Sequence, residues 1–375
     1  MPGATARRPD VSVLSTGHDV ADARLHRICA ALLRRGLSVE VVGLGSAVAG
    51  PPGTRVVASG SRPGPFRRMG RAVALPLRAH GRVVLTLDPD LVPAAVARGL
   101  VSRTATVVDV HEDYAALLHD RDWAHGVVRA GAQAVATGGS TLARWADVTV
   151  VADEHLPPGQ ARRRVVVRNL PDLSVLPAPT EPDSEPRALY VGDVRRSRGL
   201  RTMLAALEAA PAWTLDVVGP VAAADEGWLR DWRAASPAAP RARLRGRLTP
   251  ERSWELAAGA WCGLSLLEDT PAFGEALPTK LYEYLACGLA VLTTPVRRSA
   301  ELVSTTGAGE VVASAADAAS VLDRWAGDPS GLGRCRQAAT AWADEHLRGP
   351  SPYDELARIV AGLAAGPDGA GGSAP

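Results

Sequence analysis

The chain has 375 residues, of which 46% are hydrophobic and 22% charged, and its formal net charge is +2. This is an ordinary globular composition, and the length is sufficient for two domains with separate cores. Four widely spaced cysteines favour neither a zinc site nor a disulfide framework, and no run of about 18 apolar residues predicts a membrane span. The first residues also lack the apolar core of an export signal, so we expect a cytoplasmic protein.

Short runs rich in valine and leucine alternate with helical stretches along residues 1–172, the predicted N-terminal domain. Such runs, bounded by Gly, Pro or Asp, are typical of strands buried on both faces of a parallel sheet. The predicted strands are Val11–Ser15, Val39–Leu44, Arg55–Ala58, Val83–Leu87, Ala105–Val110, Asp147–Val151 and Val165–Val167. Apolar residues at helical spacing predict the first helix between Asp19 and Arg35, so the order is that of a doubly wound domain.

Positive charge is concentrated in the first half of the chain. Residues 1–170 carry 22 arginines against 14 acidic residues, a net charge of +8, and the remainder has a net charge of −6. A basic half favours an anionic partner such as a lipid surface, a phosphorylated acceptor or a nucleic acid, although no nucleic-acid recognition motif is present. Phe66–Arg78 mixes arginines with apolar residues, which predicts either a membrane-surface segment or a helix that covers the sheet.

Five prolines between residues 171 and 186 interrupt the pattern, so we place an interdomain linker at 173–186. The alternation of strands and helices then restarts in the predicted C-terminal domain, residues 187–348. The predicted strands are Leu189–Gly192, Thr214–Gly219, Ala242–Leu248, Gly263–Leu267 and Ala290–Thr293, with helices near 199–210, 224–235, 250–260 and 278–287. We expect a last helix at about 351–364 to pack back on the N-terminal domain and residues 365–375 to form a disordered tail.

Lys280 is the only lysine in a chain with 42 basic residues. It stands at the start of a predicted helix, where Pro278 fits the first turn. The free N–H groups and the positive dipole end of a helix N-terminus attract anions, and an ammonium group adds charge there. Glu283 lies one turn further on and could accept hydrogen bonds from ribose hydroxyls, and Glu275 lies in the preceding loop. The alternative is an amphipathic core helix with solvated Glu and Lys side chains.

A second candidate phosphate site follows the first strand of the C-terminal domain. Here the predicted strand is followed by Gly192, then by a cationic loop, and then by the start of a helix. The loop contains Arg195, Arg196 and Arg198. This order is typical of phosphate cradles, although a merely solvated loop would have the same sequence.

In the N-terminal domain, His111 directly follows a buried strand, which predicts a position at the carboxyl edge of the sheet, where ligands bind. An ordinary hydrogen-bonded histidine at a strand end is the alternative. Gly17 and His18 lie in the loop after the first strand. Further along, Thr249, Pro250 and Glu251 form a typical helix start just after Gly246.

Together these motifs resemble the retaining GT-B glycosyltransferases of family 4, which use nucleotide sugars. The family fingerprint places two glutamates eight residues apart before a small-residue helix and a glycine, and Glu275, Glu283 and Gly288 match it. One branch of the family matches Leu277–Gly288 almost letter for letter. The resemblance implies two tandem Rossmann-like domains, with the active site in the cleft between them.

The resemblance also implies roles for the residues. It places Lys280 and Arg198 on the donor diphosphate, Glu275 on the transferred sugar, and His111 on that sugar or the leaving phosphate. Other donor-binding residues implied by the match are Gly17, Gly192, Gly246, Leu277, Pro278, Thr279 and Glu283. The family usually has an arginine where this chain has Asp193, so we expect Arg195 or Arg196 to supply the missing charge.

The implied activity is transfer of a sugar from a nucleoside-diphosphate sugar to a hydroxyl acceptor, with retention and without a metal ion or other cofactor. The basic N-terminal half favours a lipid-linked acceptor at the inner face of the plasma membrane. A soluble natural-product acceptor and an acceptor-free sugar-nucleotide epimerase are the alternatives. A dinucleotide oxidoreductase is disfavoured because Val48 interrupts the glycine fingerprint in Gly43–Gly50.

Overall fold

The computed structural model describes residues 8–60, 63–114, 118, 126–270, 273–275 and 277–366. The chain forms two compact units, one of residues 1–169 with 350–375 and the other of residues 170–349. All four cysteines are free thiols. In the described ranges, no helix combines the length and apolar character needed to cross a bilayer.

The first unit is built on a seven-stranded parallel sheet with the order β3-β2-β1-β4-β5-β6-β7. Its strands are β1 Val11–Asp19, β2 Val39–Leu44, β3 Arg55–Ser59, β4 Val83–Thr86, β5 Ala105–Val110, β6 Val148–Val151 and β7 Arg164–Val166. Its described helices before the second unit are α1 Ala23–Arg34, α2 Pro65–Arg78, α3 Val92–Val101 and α4 Gly126–Leu142. The seven strands confirm the seven runs predicted from the sequence, with ends that differ by a few residues.

Helix α1 shows how the sequence builds this unit. Leu25, Ile28 and Leu32 recur at helical spacing and are buried in the core against the sheet. The helix begins at Ala23 rather than at Asp19, because β1 continues to Asp19 and the side chain of Asp22 caps the helix by accepting from the Leu25 N–H.

The second unit contains a six-stranded parallel sheet with the order β10-β9-β8-β11-β12-β13. Its strands are β8 Arg187–Val191, β9 Thr214–Val218, β10 Ala242–Gly246, β11 Cys262–Ser265, β12 Ala290–Thr293 and β13 Gly309–Val311. Its helices are α5 Leu200–Ala209, α6 Ala223–Ala235, α7 Pro250–Glu255, α8 Thr279–Ala286, α9 Arg297–Thr306, α10 Ala315–Gly327 and α11 Pro329–His346. Two buried clusters, one on each face of the sheet, form the core of this unit.

Three local predictions in this unit are corrected. Thr249 caps α7 as expected, but the helix ends at Glu255 and not near residue 260, because Gly259 adopts a left-handed φ of +74°. Pro278 is the N-cap of α8 rather than a first-turn residue, since its ψ of 135° is extended. The strand predicted to reach Leu248 ends at Gly246, whose φ is +66°.

Residues 170–186 belong to the second unit and include a short 3-10 turn, Leu173–Val175. The last helix, α12 (Pro352–Ala365), belongs to the first unit and packs against α1, with Tyr353, Leu356 and Val360 buried in the core of that unit. The tail predicted to be disordered lies outside the described residues from residue 367 onward.

Each sheet has one point where its strand order reverses. In the first sheet this point lies between β1 and β4, and in the second it lies between β8 and β11. In open parallel sheets, ligands bind outside the carboxyl ends of the strands at such a point, because the loops diverge there and leave a crevice. The segments that follow these four strands are therefore the expected places for a ligand.

Candidate active site

Lys280, the second residue of α8, lies near the reversal point of the second sheet, and its side chain is only 6% exposed. Its Nζ lies 3.7 Å from the centroid of the Tyr190 ring and has no hydrogen-bond acceptor among the residues that the structure describes. Burial, followed by the nearby charge of Arg198, holds the pKa of Lys280 well below its usual range, although Glu283 and Asp193 oppose the shift. The side-chain nitrogen of Lys280 is thus buried beside another cation, with no hydrogen-bond acceptor in the described ranges.

Gly192, directly after β8, makes room for this ammonium group. A Cβ atom at Gly192 would lie 2.9 Å from Nζ of Lys280, and the φ of +139° is itself unfavourable for any other residue. A Cβ atom at Gly219 would in turn lie only 1.9 Å from the Gly192 carbonyl oxygen. The close approach of these loops explains the glycines on packing grounds and places Gly192 beside Lys280.

Arg198 lies on the same loop, and its side chain is partly buried. Its Nε is buried and has no hydrogen-bond partner within the described ranges, while the guanidinium carbon lies 5.9 Å from the centroid of the Phe273 ring. Gly199, with φ +88°, lets the loop pass close to β11, because a Cβ there would be 2.0 Å from the Leu266 carbonyl oxygen. Arg198 and Lys280 therefore contribute two neighbouring cations to one site.

The structure separates the two candidates for the missing charge. The Arg195 guanidinium pairs with the Asp193 carboxylate at 3.0 Å and is partly buried, whereas Arg196 pairs with Glu268 at 3.2 Å and is exposed. Asp193, where the family usually has an arginine, is thus neutralised by the arginine two residues later.

Glu275 is an exposed carboxylate that the structure pairs with the Arg297 side chain, whose Nε lies 2.9 Å from Oε1. A sugar hydroxyl at Glu275 would share this carboxylate with Arg297. Glu283 is partly buried on α8, and its charge acts on Lys280. The two glutamates of the fingerprint therefore differ, since one is paired at the surface and the other lies close to the buried ammonium.

Leu277, Pro278 and Thr279 are partly buried and lead into α8. They therefore lie at the N-terminus of the helix that carries Lys280. Gly246 ends the edge strand β10 and is exposed, and its carbonyl oxygen accepts a hydrogen bond from the Gly219 N–H at 2.8 Å. Gly246 is thus linked to the Gly192 region through Gly219.

In the first unit, Gly17 and His18 lie within β1 rather than in a loop after it, and the segment around Gly17 folds around the buried carboxylate of Asp88, which follows β4. One carboxylate oxygen accepts hydrogen bonds from the Ser15 hydroxyl at 2.6 Å, the Thr16 N–H at 2.9 Å and the Gly17 N–H at 3.1 Å. A Cβ at Gly17 would lie 2.8 Å from the other oxygen. Because Asp88 occupies these N–H groups, the segment offers a phosphate fewer free donors than the sequence suggested.

His18 and His111 meet at this edge of the first sheet, with their Nε2 atoms 3.2 Å apart. His111 also lies 3.1 Å from the Asp109 carboxylate, which the buried guanidinium of Arg24 holds by two 2.7 Å hydrogen bonds. Burial opposes the charged form of Asp109, but Arg24 and His111 outweigh it and hold its pKa below the usual range. The structure thus brings His18, near the end of β1, and His111, directly after β5, together, a contact that the sequence did not predict.

Two important residues were missed by the sequence analysis. Asp88 organises the segment around Gly17, and its only signal was an acidic residue directly after a buried strand. Tyr190 supports Lys280, and nothing in the pattern distinguished it from an ordinary core aromatic. No group of three or more His, Cys, Asp or Glu side chains in the described ranges is arranged to hold a metal ion.

Comparison with known proteins agrees with this architecture. Residues 195–360 match the family model described as Glycosyl transferase-like. No curated protein sequence matches the chain.

Solved structures resemble the chain over almost its whole length. Sucrose-phosphate synthase from Thermosynechococcus elongatus has a TM-score of 0.74 at 15% identity, covering 96% of this chain and 100% of that one. Anabaena Alr3699/HepE, in complex with UDP and glucose, has a TM-score of 0.69 at 14% identity, with 94% and 99% covered. WaaG, a glycosyltransferase involved in lipopolysaccharide biosynthesis, has a TM-score of 0.66 at 17% identity, with 94% and 99% covered. The fold is GT-B, as predicted.

Proposed function

We propose that this chain is a retaining glycosyltransferase of the family 4 type, which transfers a hexose from a nucleoside-diphosphate sugar to a hydroxyl acceptor. The observation that carries the proposal is the buried ammonium group of Lys280, which has no acceptor in the described part of the protein. A buried charge without a partner is costly, so a site that retains one is suited to an anionic ligand.

A diphosphate fits the surroundings of Lys280. The site lies at the N-terminus of α8, the positive end of the helix dipole, where no side chain caps the helix. Gly192 leaves room beside Lys280, and Arg198 adds a second cation. Negative charge on the leaving diphosphate grows as the bond to the sugar breaks, and preorganised cations stabilise that charge. This arrangement needs no metal ion, and we propose a metal-independent reaction.

Retention follows from the resemblance, with same-face attack and the leaving phosphate as the base. No side chain then acts as a covalent nucleophile, and Glu275 binds sugar hydroxyls. Glu283 binds the ribose, and His111 contacts the sugar or the leaving phosphate. In Anabaena Alr3699/HepE the bound molecules are UDP and glucose, so uridine nucleotides are the first donors to test.

The outer face of α2 favours a lipid-linked acceptor over a soluble one. Phe66 is 94% exposed, and Met69, Val73 and Leu77 continue the same helical stripe at 51%, 53% and 55% exposure. The neighbouring Arg67 and Arg78 side chains are also exposed. An apolar stripe flanked by arginines is suited to the surface of an anionic membrane, and we propose that α2 lies on it at the cytoplasmic face.

A thermal-shift screen against UDP-, GDP- and dTDP-sugars tests the donor site. A donor at 100 times its dissociation constant should stabilise the protein by about 2.7 kcal/mol, and the Lys280→Met variant should lose most of that shift. Acceptor-dependent release of nucleoside diphosphate would then support transfer, whereas interconversion of sugar nucleotides without acceptor would favour the epimerase. The absence of a shift with every nucleotide sugar would contradict the proposal.

Co-sedimentation with phosphatidylglycerol-containing vesicles tests the membrane surface. Phe66→Asp should reduce binding, because it places a negative charge in the centre of the stripe. Val101→Asp is the matched control, since Val101 is 87% exposed but lies on α3. Equal binding by both variants would exclude α2 as the membrane surface and favour a soluble acceptor.

A further inference from the structure

Four ionisable side chains form a continuous row of contacts at the reversal point of the first sheet. His18 lies near the end of β1, Asp88 follows β4, and Asp109 and His111 lie at the end of β5. Their order in space is Asp88, His18, His111, Asp109, with successive contacts of 3.1, 3.2 and 3.1 Å. Both carboxylates are buried, while the side chains of His18 and His111 are 20% and 10% exposed. Only the imidazole rings therefore reach the surface.

The distances determine where the protons lie. Each Nδ1 lies 3.1 Å from a carboxylate oxygen, and the nearby negative charge favours a proton on that nitrogen even though the His18 N–H is not aligned for a hydrogen bond to Asp88. Both Nδ1 atoms therefore carry a proton. The two Nε2 atoms are 3.2 Å apart, and two lone pairs at that distance would repel, so one proton must lie between them. Two rings with three protons carry a single positive charge.

We infer that His18 and His111 form a proton-sharing pair with one positive charge, in which His18 is a positioning residue. It donates through Nε2 to His111 and thereby holds His111 as the tautomer protonated on Nδ1. The inference rests on the proposed function to the extent that His111 is taken to contact the sugar or the leaving phosphate. The pair would give that contact a positive charge and a fixed ring orientation.

Electrostatics of the surroundings agree with a charge on His18. Burial disfavours the charged form, but the contact with Asp88 and the charges of Asp22 and Glu112 outweigh it and raise the pKa of His18 to about 9. Burial also opposes the charged form of Asp88, yet His18, Ser15 and Arg68 keep its pKa below the usual range. The ionisable groups that face the pair from all sides are Asp22, Arg24, Arg68, Asp88, Asp109, Glu112 and Tyr114.

The bridging proton does not come from Tyr114. The Tyr114 hydroxyl donates to the Leu87 carbonyl oxygen at 2.8 Å, although it lies 3.3 Å from each nitrogen of His111. At the far end, Arg24 donates to Asp109 through two nitrogens and fixes that carboxylate, so Asp109 is held for His111. Each end of the row is thus anchored by an acceptor-only carboxylate.

Nuclear magnetic resonance of histidine-labelled protein tests the pair without any substrate. Long-range nitrogen–proton spectra near neutral pH should show one ring protonated on both nitrogens and His111 protonated on Nδ1. The charged form should be lost only as the pH rises through about 9. His155→Gln is the control, because His155 is an exposed histidine whose Nδ1 lies 3.0 Å from the Asp153 carboxylate.

Three variants separate positioning from simple packing. Asp88→Asn should bring the loss of the shared charge down toward pH 6.5, the ordinary value. His18→Gln should keep His111 protonated on Nδ1, because the amide N–H still donates to Nε2, but should remove the charge. His18→Leu should lose both the positive charge and the fixed Nδ1 tautomer of His111. Only the glutamine variant should keep that tautomer.

Two neutral rings near neutral pH, or a proton on Nε2 of His111 that points away from His18, would overturn the inference. An unchanged titration in Asp88→Asn would do the same. These outcomes do not depend on the nucleotide-sugar screen. A failed screen with an intact pair would count against the proposed function, and a successful screen with two neutral rings would count against the pair alone.

Discussion

Replacing Lys280 with methionine should make the free protein more stable and the donor complex weaker. Methionine has a similar length and no charge, so it can fill the same space over the Tyr190 ring. The ammonium group gains from that ring, by about 2 kcal/mol for a desolvated cation. It also loses its hydration, and no hydrogen-bond acceptor replaces the water among the described residues.

The size of the effect follows from these opposing contributions. The effective penalty for burying an ion is several kcal/mol, and the cation–π contact offsets only part of it. Lys280→Met should therefore raise the free energy of unfolding by about 1–3 kcal/mol, the usual cost of a buried polar group left unpaired. For a unit of this size, each kcal/mol raises the melting temperature by about 2–4 °C.

Donor binding should change in the opposite direction. Loss of one cation from a diphosphate site should lower turnover by about 10² or more. In the parent protein, the charge of a bound diphosphate should oppose the lowering of the Lys280 pKa and so stabilise the ammonium group. Calorimetry with UDP, GDP and dTDP measures the affinity, which should be lower in the methionine variant.

Arg201→Met is the matched control. The Arg201 guanidinium also lies over an aromatic ring, 4.8 Å from the centroid of Trp228, but Arg201 is exposed. Its replacement should lower stability slightly and leave nucleotide binding unchanged. A Lys280→Met protein that is less stable than the parent, or that binds nucleotide equally well, would refute the reasoning that Lys280 is a charge kept for a ligand.

Two further predictions concern the loop after β8 and the histidine pair. Gly192→Ala should destabilise the protein by about 1–3 kcal/mol and weaken nucleotide binding, because the strained backbone and the close Nζ of Lys280 leave no room for a methyl group. Chemical denaturation and calorimetry measure both effects, with Gly131→Ala on α4 as a control in open space. For His18, a pKa raised from 6.5 to about 9 contributes at most about 3 kcal/mol, present in full below pH 6.5 and lost as the pH rises through 9. Denaturation across that range should show this loss in the parent protein and much less of it in Asp88→Asn.

The sequence predicted the strands well because parallel strands are buried on both faces and therefore appear as continuous apolar runs. All twelve predicted runs are strands in the structure. The missed strand, Gly309–Val311, has only three residues, one of them glycine and one glutamate. Its strand character comes from pairing with β12, which is a tertiary effect that no local pattern contains.

The site could be predicted in part. Lys280 and Gly192 were identified because a unique lysine and a glycine after a strand are visible in the sequence itself. Asp88 and Tyr190 were not identified, because their roles depend on segments that are far apart in the sequence and meet only on folding. The choice between Arg195 and Arg196 was likewise open, because adjacent residues differ only in the direction that the backbone gives their side chains.

The two units use charge in opposite ways, which bears on where a ligand is needed. In the first unit, the charges of Asp88, His18, His111 and Asp109 compensate one another, and this row of four side chains needs no ligand. In the second unit, Lys280 lies buried with no acceptor in the described ranges, next to another cation. A charge that is costly in the free protein is compensated only when an anion binds, so part of the stability of the complex comes from relief of that cost. Donor binding should therefore stabilise the second unit most.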